Sequence, residues 1–333
     1  MKGSGVKHII FMLFVLVVLA SCGGGSPVNL ANGGIGGTGI VSYGSITALG
    51  SVTVNGVRFD TSNAAIIVAG ELQGVGDQAI LSKLEVGNVV RVEGTINSGG
   101  RSGTASRVVR SNSVNGPVES INDIGTDSKK VVVLGQTVIV DDNTVYNKVS
   151  FSTIAHYDVL EVCGLMDEKG AIRATYIEKI SDGFTSGSHV WLKGIIRSLD
   201  AAARTFEING LTLDYSRAVV SDLPGGLPAD GMLVKVKGTL ASVGGTLAVT
   251  EIVLDDELGG VKDAEEAEME GFVTAILHAT PLQFKLGNQR IQTDEDTRFE
   301  GGDDGDVELG DWLEVEGPLV GGTVFAEVVV FKD

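Results

Sequence analysis

Cysteine is nearly absent from this chain: Cys22 and Cys163 are two residues in 333. If Cys22 is modified, as its surroundings indicate, Cys163 has no partner within the chain, and folding then depends on no internal disulfide. Histidine is as scarce. His8 lies near the start, and His156, His189 and His278 are spread far apart. No His-x-His or Cys-x-x-Cys spacing occurs, which argues against a preformed transition-metal site. There is no Cys-x-x-Cys-His haem attachment and no Gly-x-Ser-x-Gly nucleophile elbow. Aromatic residues are only 5% of the chain, and most sit where a core would take them. Basic residues are outnumbered, 25 against 43 acidic, for a formal charge of −18. Nucleic-acid binding rests on phosphate neutralisation by Lys and Arg, so nucleic acid is not an expected partner.

What is present begins with a leader. Met1 to Lys7 is basic, with Lys2 and Lys7 and no acid, and Ile9 to Ala20 is an unbroken apolar run of twelve. A spanning helix needs about 20 apolar residues, so the run fits the core of a secretory signal, residues 1–21. It ends Leu19-Ala20-Ser21-Cys22, which resembles the lipobox of bacterial lipoproteins. The resemblance implies cleavage before Cys22 and lipidation of its thiol, and acyl chains give a stable membrane anchor when two or more are attached. Gly23, not aspartate, follows. By similarity to the sorting rule of enteric bacteria, this favours the outer membrane and a periplasmic or surface-facing chain. Cleavage would remove two lysines and no acid, so 25 basic residues become 23 against 43 acidic, a charge of −20. Residues 22–38 then form a flexible glycine-rich tether, with a root-mean-square reach of roughly 22 Å. Its Gly34-Ile35-Gly36-Gly37-Thr38-Gly39 matches the dinucleotide fingerprint in letters. The pattern lacks a preceding strand and a following helix, and the linker reading is the better one.

Beyond the tether one unit recurs four times. Each copy carries a short strand, a glycine and a second short strand, as in Val52-Thr53-Val54-Asn55-Gly56 followed by Val57-Arg58-Phe59-Asp60. The glycines suit a tight hairpin with positive φ. About thirty residues later comes Leu84-Glu85-Val86-Gly87-Asn88-Val89-Val90-Arg91-Val92-Glu93-Gly94, with counterparts ending at Gly164, Gly238 and Gly317, spaced 70, 74 and 79 residues apart. Alternation directs Val90, Leu160, Val234 and Leu313, with Val92, Val162, Val236 and Val315, into a core.

Five short strands per unit, with the longest connection between the third and fourth, predict an all-β chain of four tandem small OB-like barrels. No helix is visible in that connection. The expected repeats are 39–110, 111–182, 187–254 and 268–333, with an acidic linker at 255–267, and Lys262–Met269 is read as a short helix. Units of about seventy residues are small for independent stability. Either neighbours pack end to end or each barrel is marginal. Beads fit the irregular spacing better than a solenoid or a sandwich does.

The opening Gly44-Ser45-Ile46-Thr47-Ala48-Leu49-Gly50-Ser51, the Val54-to-Asp60 hairpin and the Leu84-x-x-Gly87-x-Val89-Val90-x-Val92-x-Gly94 segment resemble a family of uncharacterised domains found in tandem in bacterial lipoproteins. The resemblance covers most of residues 39–331 and is strongest in the first two copies. It implies a fold and a location, and carries over no functional residue.

Three candidate sites follow from the residues. Asp303, Asp304, Asp306 and Glu308 put four carboxylates on one loop, an arrangement that could offer oxygens to Ca²⁺ although the EF-hand spacing is missing. A solvated turn is the plainer reading, and no other cofactor is expected. Cys163 stands where the other copies have Glu93, Lys237 and Glu316. Alternation turns it outward, as an exposed thiol able to pair between chains. Trp191 and Trp312, with Phe206 and Phe284, would form a sugar-stacking platform if they shared a face. With no reactive cluster in view, the expectation is a membrane-anchored, non-enzymatic scaffold or protein-interaction module of the cell envelope. The alternative is a module binding envelope glycan or a divalent cation.

Overall fold

The computed structural model describes residues 39–332; the leader, Cys22 and most of the tether lie outside the described residues. The described chain is almost entirely β, in four tandem repeats. Among its helices is a single α-helical segment, Asp77–Lys83, and no described helix is long and apolar enough to cross a membrane.

Repeat 1 shows how the sequence makes the unit. Val52–Val54 and Val57–Asp60 are joined by Asn55-Gly56, both at positive φ, 49° and 77°. This turn twists with the flanking strands, and Asn-Gly accepts it at little cost. The first strand, Ile40–Ser45, pairs antiparallel with the fourth, Val89–Ile96, which pairs with the fifth, Ser102–Arg110. The fifth runs parallel to the third, Val57–Asp60, the third pairs with the second, and an Ala48–Thr53 bridge returns the second to the first. The ring-like order 1-2-3-5-4-1 recurs in repeats 2, 3 and 4. It is the partly open Greek-key arrangement expected of an OB-like unit. The third strand is broken in every copy. Its second piece, Ala65–Val68 in repeat 1 and Val145–Asn147, Val219–Ser221 and Arg298–Glu300 in the others, also lies parallel to the fifth strand.

The glycine closing each signature has a steric reason. A Cβ at Gly94, Gly164, Gly238 or Gly317 would strike a backbone carbonyl of the fifth strand: Thr104, Arg173, Ala248 or Phe325 respectively. In the first three repeats the ladder slips register at this point, between Glu93 and Gly94, Cys163 and Gly164, and Lys237 and Gly238. Such a bulge lets the sheet coil tightly enough to close.

The inward positions are as the alternation requires. Val90, Val92, Leu160, Val162, Val234, Val236, Leu313 and Val315 are all fully buried. Two expectations are corrected. A helix does occupy the connection between third and fourth strands in repeat 1, where Ala79 and Ile80 of Asp77–Lys83 bury against that core. Lys262–Met269 is not helical: Ala264–Ala279 is one long strand, the first of repeat 4. Ala267 and Met269 alternate into the core, a period of two that a helix could not satisfy.

The repeats interlock. Ile40–Tyr43 of repeat 1 pairs in parallel with Glu266–Met269 of repeat 4, and Val114–Asn115 of repeat 2 pairs with Trp191–Leu192 of repeat 3. The chain's first and last repeats therefore share one sheet, and its middle two share another. The described residues, 39–332, lie within one compact unit.

Candidate functional site

All four repeats converge around Lys193. It lies on the first strand of repeat 3, where Leu192 points into the barrel and Lys193 points out. In a lone barrel that outward face would meet water. Here it meets the joint between repeats 3 and 4. The Lys193 ammonium lies 2.6 Å from Asp255 and 3.7 Å from Glu257. The contact with Asp255 is chiefly coulombic. Burial alone would lower the Lys193 ammonium, but Asp255, then Tyr43 and Glu257, carry it well above its usual value. Burial pushes the Tyr43 hydroxyl, from repeat 1, up to about 12. Glu257 is also raised by burial, against the opposing pull of Lys193, and it accepts the Asn288 amide of repeat 4 at 3.3 Å. The void beside them is lined by Tyr43, Gly164, Lys193 and Gly271, one from each repeat, and measures about 20 Å³. That is room for a water and nothing larger. The centre is a junction between repeats, and on another side Lys193 and Glu257 also border a cleft of about 280 Å³.

A second junction joins repeats 1 and 2, and it corrects the expectation for Cys163. The thiol is fully buried. It donates to Asn112 Oδ1 at 3.4 Å, with Arg110 Nη2 3.7 Å away and Asn88 Nδ2 at 3.9 Å. Arg110 also pairs with Glu161 at 2.7 Å. The alternation is right: Leu160 and Val162 pack into the core of repeats 2 and 3, and Cys163 points the other way. The other way is covered, because Cys163, Leu165 and Tyr176 pack with Val41, Val89 and the core of repeat 4. Burial raises the Cys163 thiol above its usual value, so it is a poor nucleophile. A maleimide should leave Cys163 unlabelled in the native protein and label it in denaturant; labelling of Cys163 in the native protein would mean that the repeats part in solution.

The remaining candidates are dispersed. Asp303 and Asp306 cap their own short 3₁₀ turn: Asp303 Oδ1 accepts Gly305 N–H at 3.0 Å, and Asp306 Oδ2 accepts Asp303 N–H at 3.1 Å. All four of Asp303, Asp304, Asp306 and Glu308 are exposed, and their carboxylates do not converge. Among the described residues the convergent group is elsewhere in the same repeat: Glu266, Glu268 and Glu316, each with a carboxylate oxygen within 4.8 Å of the others. The sequence signal for it is the alternating Glu266-Ala267-Glu268-Met269-Glu270 and the facing Glu314-Val315-Glu316. His156, His189 and His278 are exposed and lie in three different repeats.

The four aromatics share no face. Phe206 and Phe284 are core residues. Trp191 lies under the Lys235 ammonium at 4.9 Å, and Trp312 stacks on Phe272 at 6.1 Å between ring centres. Trp312 and Phe272 border a cleft of about 390 Å³ that also has Asp141, Arg173 and Asp311 on its walls. A cleft of about 340 Å³ beside the Lys193 junction carries both charge signs, with Arg91, Arg110 and Lys235 facing Glu251 and Asp256.

A family model described as a domain of unknown function, DUF5666, matches the chain four times, at residues 38–109, 115–178, 193–252 and 270–329. No relative among the curated proteins matches. One solved structure, Drosophila Unr CSD456, aligns at 15% identity over 67% of this chain and 98% of its own. Its TM-score of 0.16 is too low to bear on fold or function.

Proposed function

The chain belongs to the DUF5666 family, and from that premise we propose that it is a lipid-anchored, non-enzymatic scaffold of the bacterial cell envelope that binds a protein partner. Cys22 carries the lipid, the outer membrane holds it, and the four repeats stand off on the glycine-rich tether. One observation carries the scaffold reading. Among the described residues Lys193, Glu257, Arg110 and Cys163, reactive side chains at the two junctions, are all engaged in joints between repeats. Groups so paired serve to hold one rigid body together.

The partner-facing element is the edge of repeat 1. Glu71–Val75 pairs only with Ala65–Val68 among the described strands, leaving its outer backbone edge unpaired. Leu72, Val75 and, on the neighbouring helix, Leu81 are exposed at 38%, 57% and 63%. An open edge with an apolar border takes an extended segment of another protein as an added strand. With Glu71 and Asp77 exposed beside it on a chain of charge −18, a basic segment is the complementary one.

The test is a photo-crosslinking residue at Leu72 in living cells, followed by capture of the lipidated protein from solubilised envelopes. One dominant protein adduct, lost when Gln73→Pro blocks the edge, is the expected result. Adducts unchanged by Gln73→Pro, or recovery with polysaccharide alone, would overturn it, the latter in favour of a glycan held at the Trp312–Phe272 cleft.

A further inference from the structure

The seam between repeats 1 and 4 is lined by carboxylates. Glu266, Glu268 and Glu270 occupy alternate positions of Ala264–Ala279 and share one face of it. On the antiparallel neighbour, Glu316 lies opposite Glu268, and Glu314 opposite Glu270. On the other side the parallel strand of repeat 1 sets Ser42 level with Glu268. Two of these acids are provided for. Glu270 accepts both the amide and the hydroxyl of Ser45 at 3.1 Å, and Glu314 is paired with Lys332 at 2.6 Å.

Glu268 is different. Only 5% of it is exposed, yet its Oε2 is buried with no hydrogen-bond partner. Each of the other deeply buried acids of the described chain has a partner at hand: Glu93 has Arg91, Asp158 has Lys179, Asp167 has Arg173, and Glu270 has Ser45. Around Glu268 the charges are all of its own sign, from Glu266, Glu316 and Glu314. Close by, Asn55 donates to Ser42 Oγ at 3.2 Å while its own Oδ1 is buried without a donor. Lys332 answers Glu314, and around Glu268 the seam still holds an excess of oxygen acceptors. Burying an unpaired carboxylate costs several kcal/mol unless something neutralises it.

We propose that Glu266, Glu268 and Glu316 bind a divalent cation of the Ca²⁺ class at the seam where the first and last repeats meet. The geometry fits. Two Ca–O bonds of 2.3–2.6 Å place opposite ligands about 4.6–5.2 Å apart, and the three carboxylates lie within 4.8 Å of one another. All the donors are hard oxygens, which select Ca²⁺ or Mn²⁺ over thiolate-seeking metals. The ion would satisfy Glu268 Oε2 and tie two strands of repeat 4 together beside Ser42 of repeat 1. The site is separate from the Asp303 loop and independent of the anchor and scaffold roles.

The experiment is calorimetric titration of the full chain in detergent with CaCl₂ after chelation, beside Glu268→Gln, Glu316→Gln and the loop variant Asp304→Asn/Asp306→Asn, each checked for native circular dichroism. Expected is one ion per chain, weakened at least about tenfold by either glutamine and unchanged by the loop variant. Binding should also tighten between about pH 6 and about pH 9, because the ion displaces a proton. Three results would each overturn the proposal. One is no heat from the native chain at about millimolar Ca²⁺, which would leave the seam neutralised by a proton alone. The others are undiminished binding in both glutamine variants, and loss of binding in the loop variant.

Discussion

Replacing Lys193 with methionine is expected to destabilise the folded chain by about 3–5 kcal/mol, the cost of leaving buried charge without its partner. The lysine answers Asp255 at 2.6 Å and Glu257 at 3.7 Å. Without it two largely buried carboxylates are left with no cation between them. Methionine nearly preserves the stem's volume, so the loss reports charge and not a cavity. Adding Asp255→Asn and Glu257→Gln to Lys193→Met should recover most of it, because removing all partners of a buried pair is far cheaper than removing one. The exposed pair Lys148–Glu178 is the control: Lys148→Met should cost under about 1 kcal/mol. Urea unfolding measures all three, and because the repeats share junctions a single transition is expected. A Lys193→Met protein within about 1 kcal/mol of native would mean that the carboxylates reach water and the junction is loose.

The second large effect is on pH. Burial, partly offset by Ser42 and reinforced by Glu266, Glu316 and Glu314, raises the Glu268 carboxyl to about 8. In the unfolded chain it titrates near its ordinary 4.5. Between these values the folded state holds a proton that the unfolded state has released. Stability therefore falls as pH rises through that window and levels off above it, when both states are ionised. The expected loss from about pH 5 to about pH 8.5, with divalent ions chelated, is on the order of a few kcal/mol. Burial raises Glu257 and Glu270 as well, and they add to the trend in the same direction. Glu268→Gln should flatten most of the slope and raise the melting temperature at alkaline pH. An unchanged slope in that variant would remove Glu268 as its source.

The barrel was legible because its rules are local. A hairpin turn needs Asn55-Gly56, a closing strand needs a glycine under a carbonyl at Gly94, and a half-buried strand needs Val90 and Val92 two apart. All these can be read within a dozen residues. What escaped depends on residues hundreds of positions away. Alternation says on which side of its strand Cys163 lies, and says nothing about what covers that side. The exposed-thiol reading fails for this reason and not through a slipped register. The acidic stretch leading into Glu268 reads as a linker at 255–267 with a short helix at Lys262–Met269, because acids are usually solvated. Its period of two was the available signal, and charge density obscured it. The helix Asp77–Lys83 was missed because two turns give too few apolar positions for a 3.6-residue period to stand out. Lys193 gave no sign at all: a lysine on an outward position is ordinary until a second barrel closes over it.

The pairing of repeat 1 with repeat 4 also governs the order in which the molecule can be completed. In a linear repeat array each unit leans on the one just made, so folding proceeds along the chain. Here Ile40 must wait for Glu266, more than two hundred residues later, and the contact carries the slow closure of a very long loop. Until the last repeat emerges, the first presents Ile40–Ser45 as an open strand beside an unfilled apolar face. A chain truncated after repeat 3 would keep that edge permanently, with the adhesive behaviour of any unpaired strand. The fourth repeat is thus the fold's own chaperone for the first.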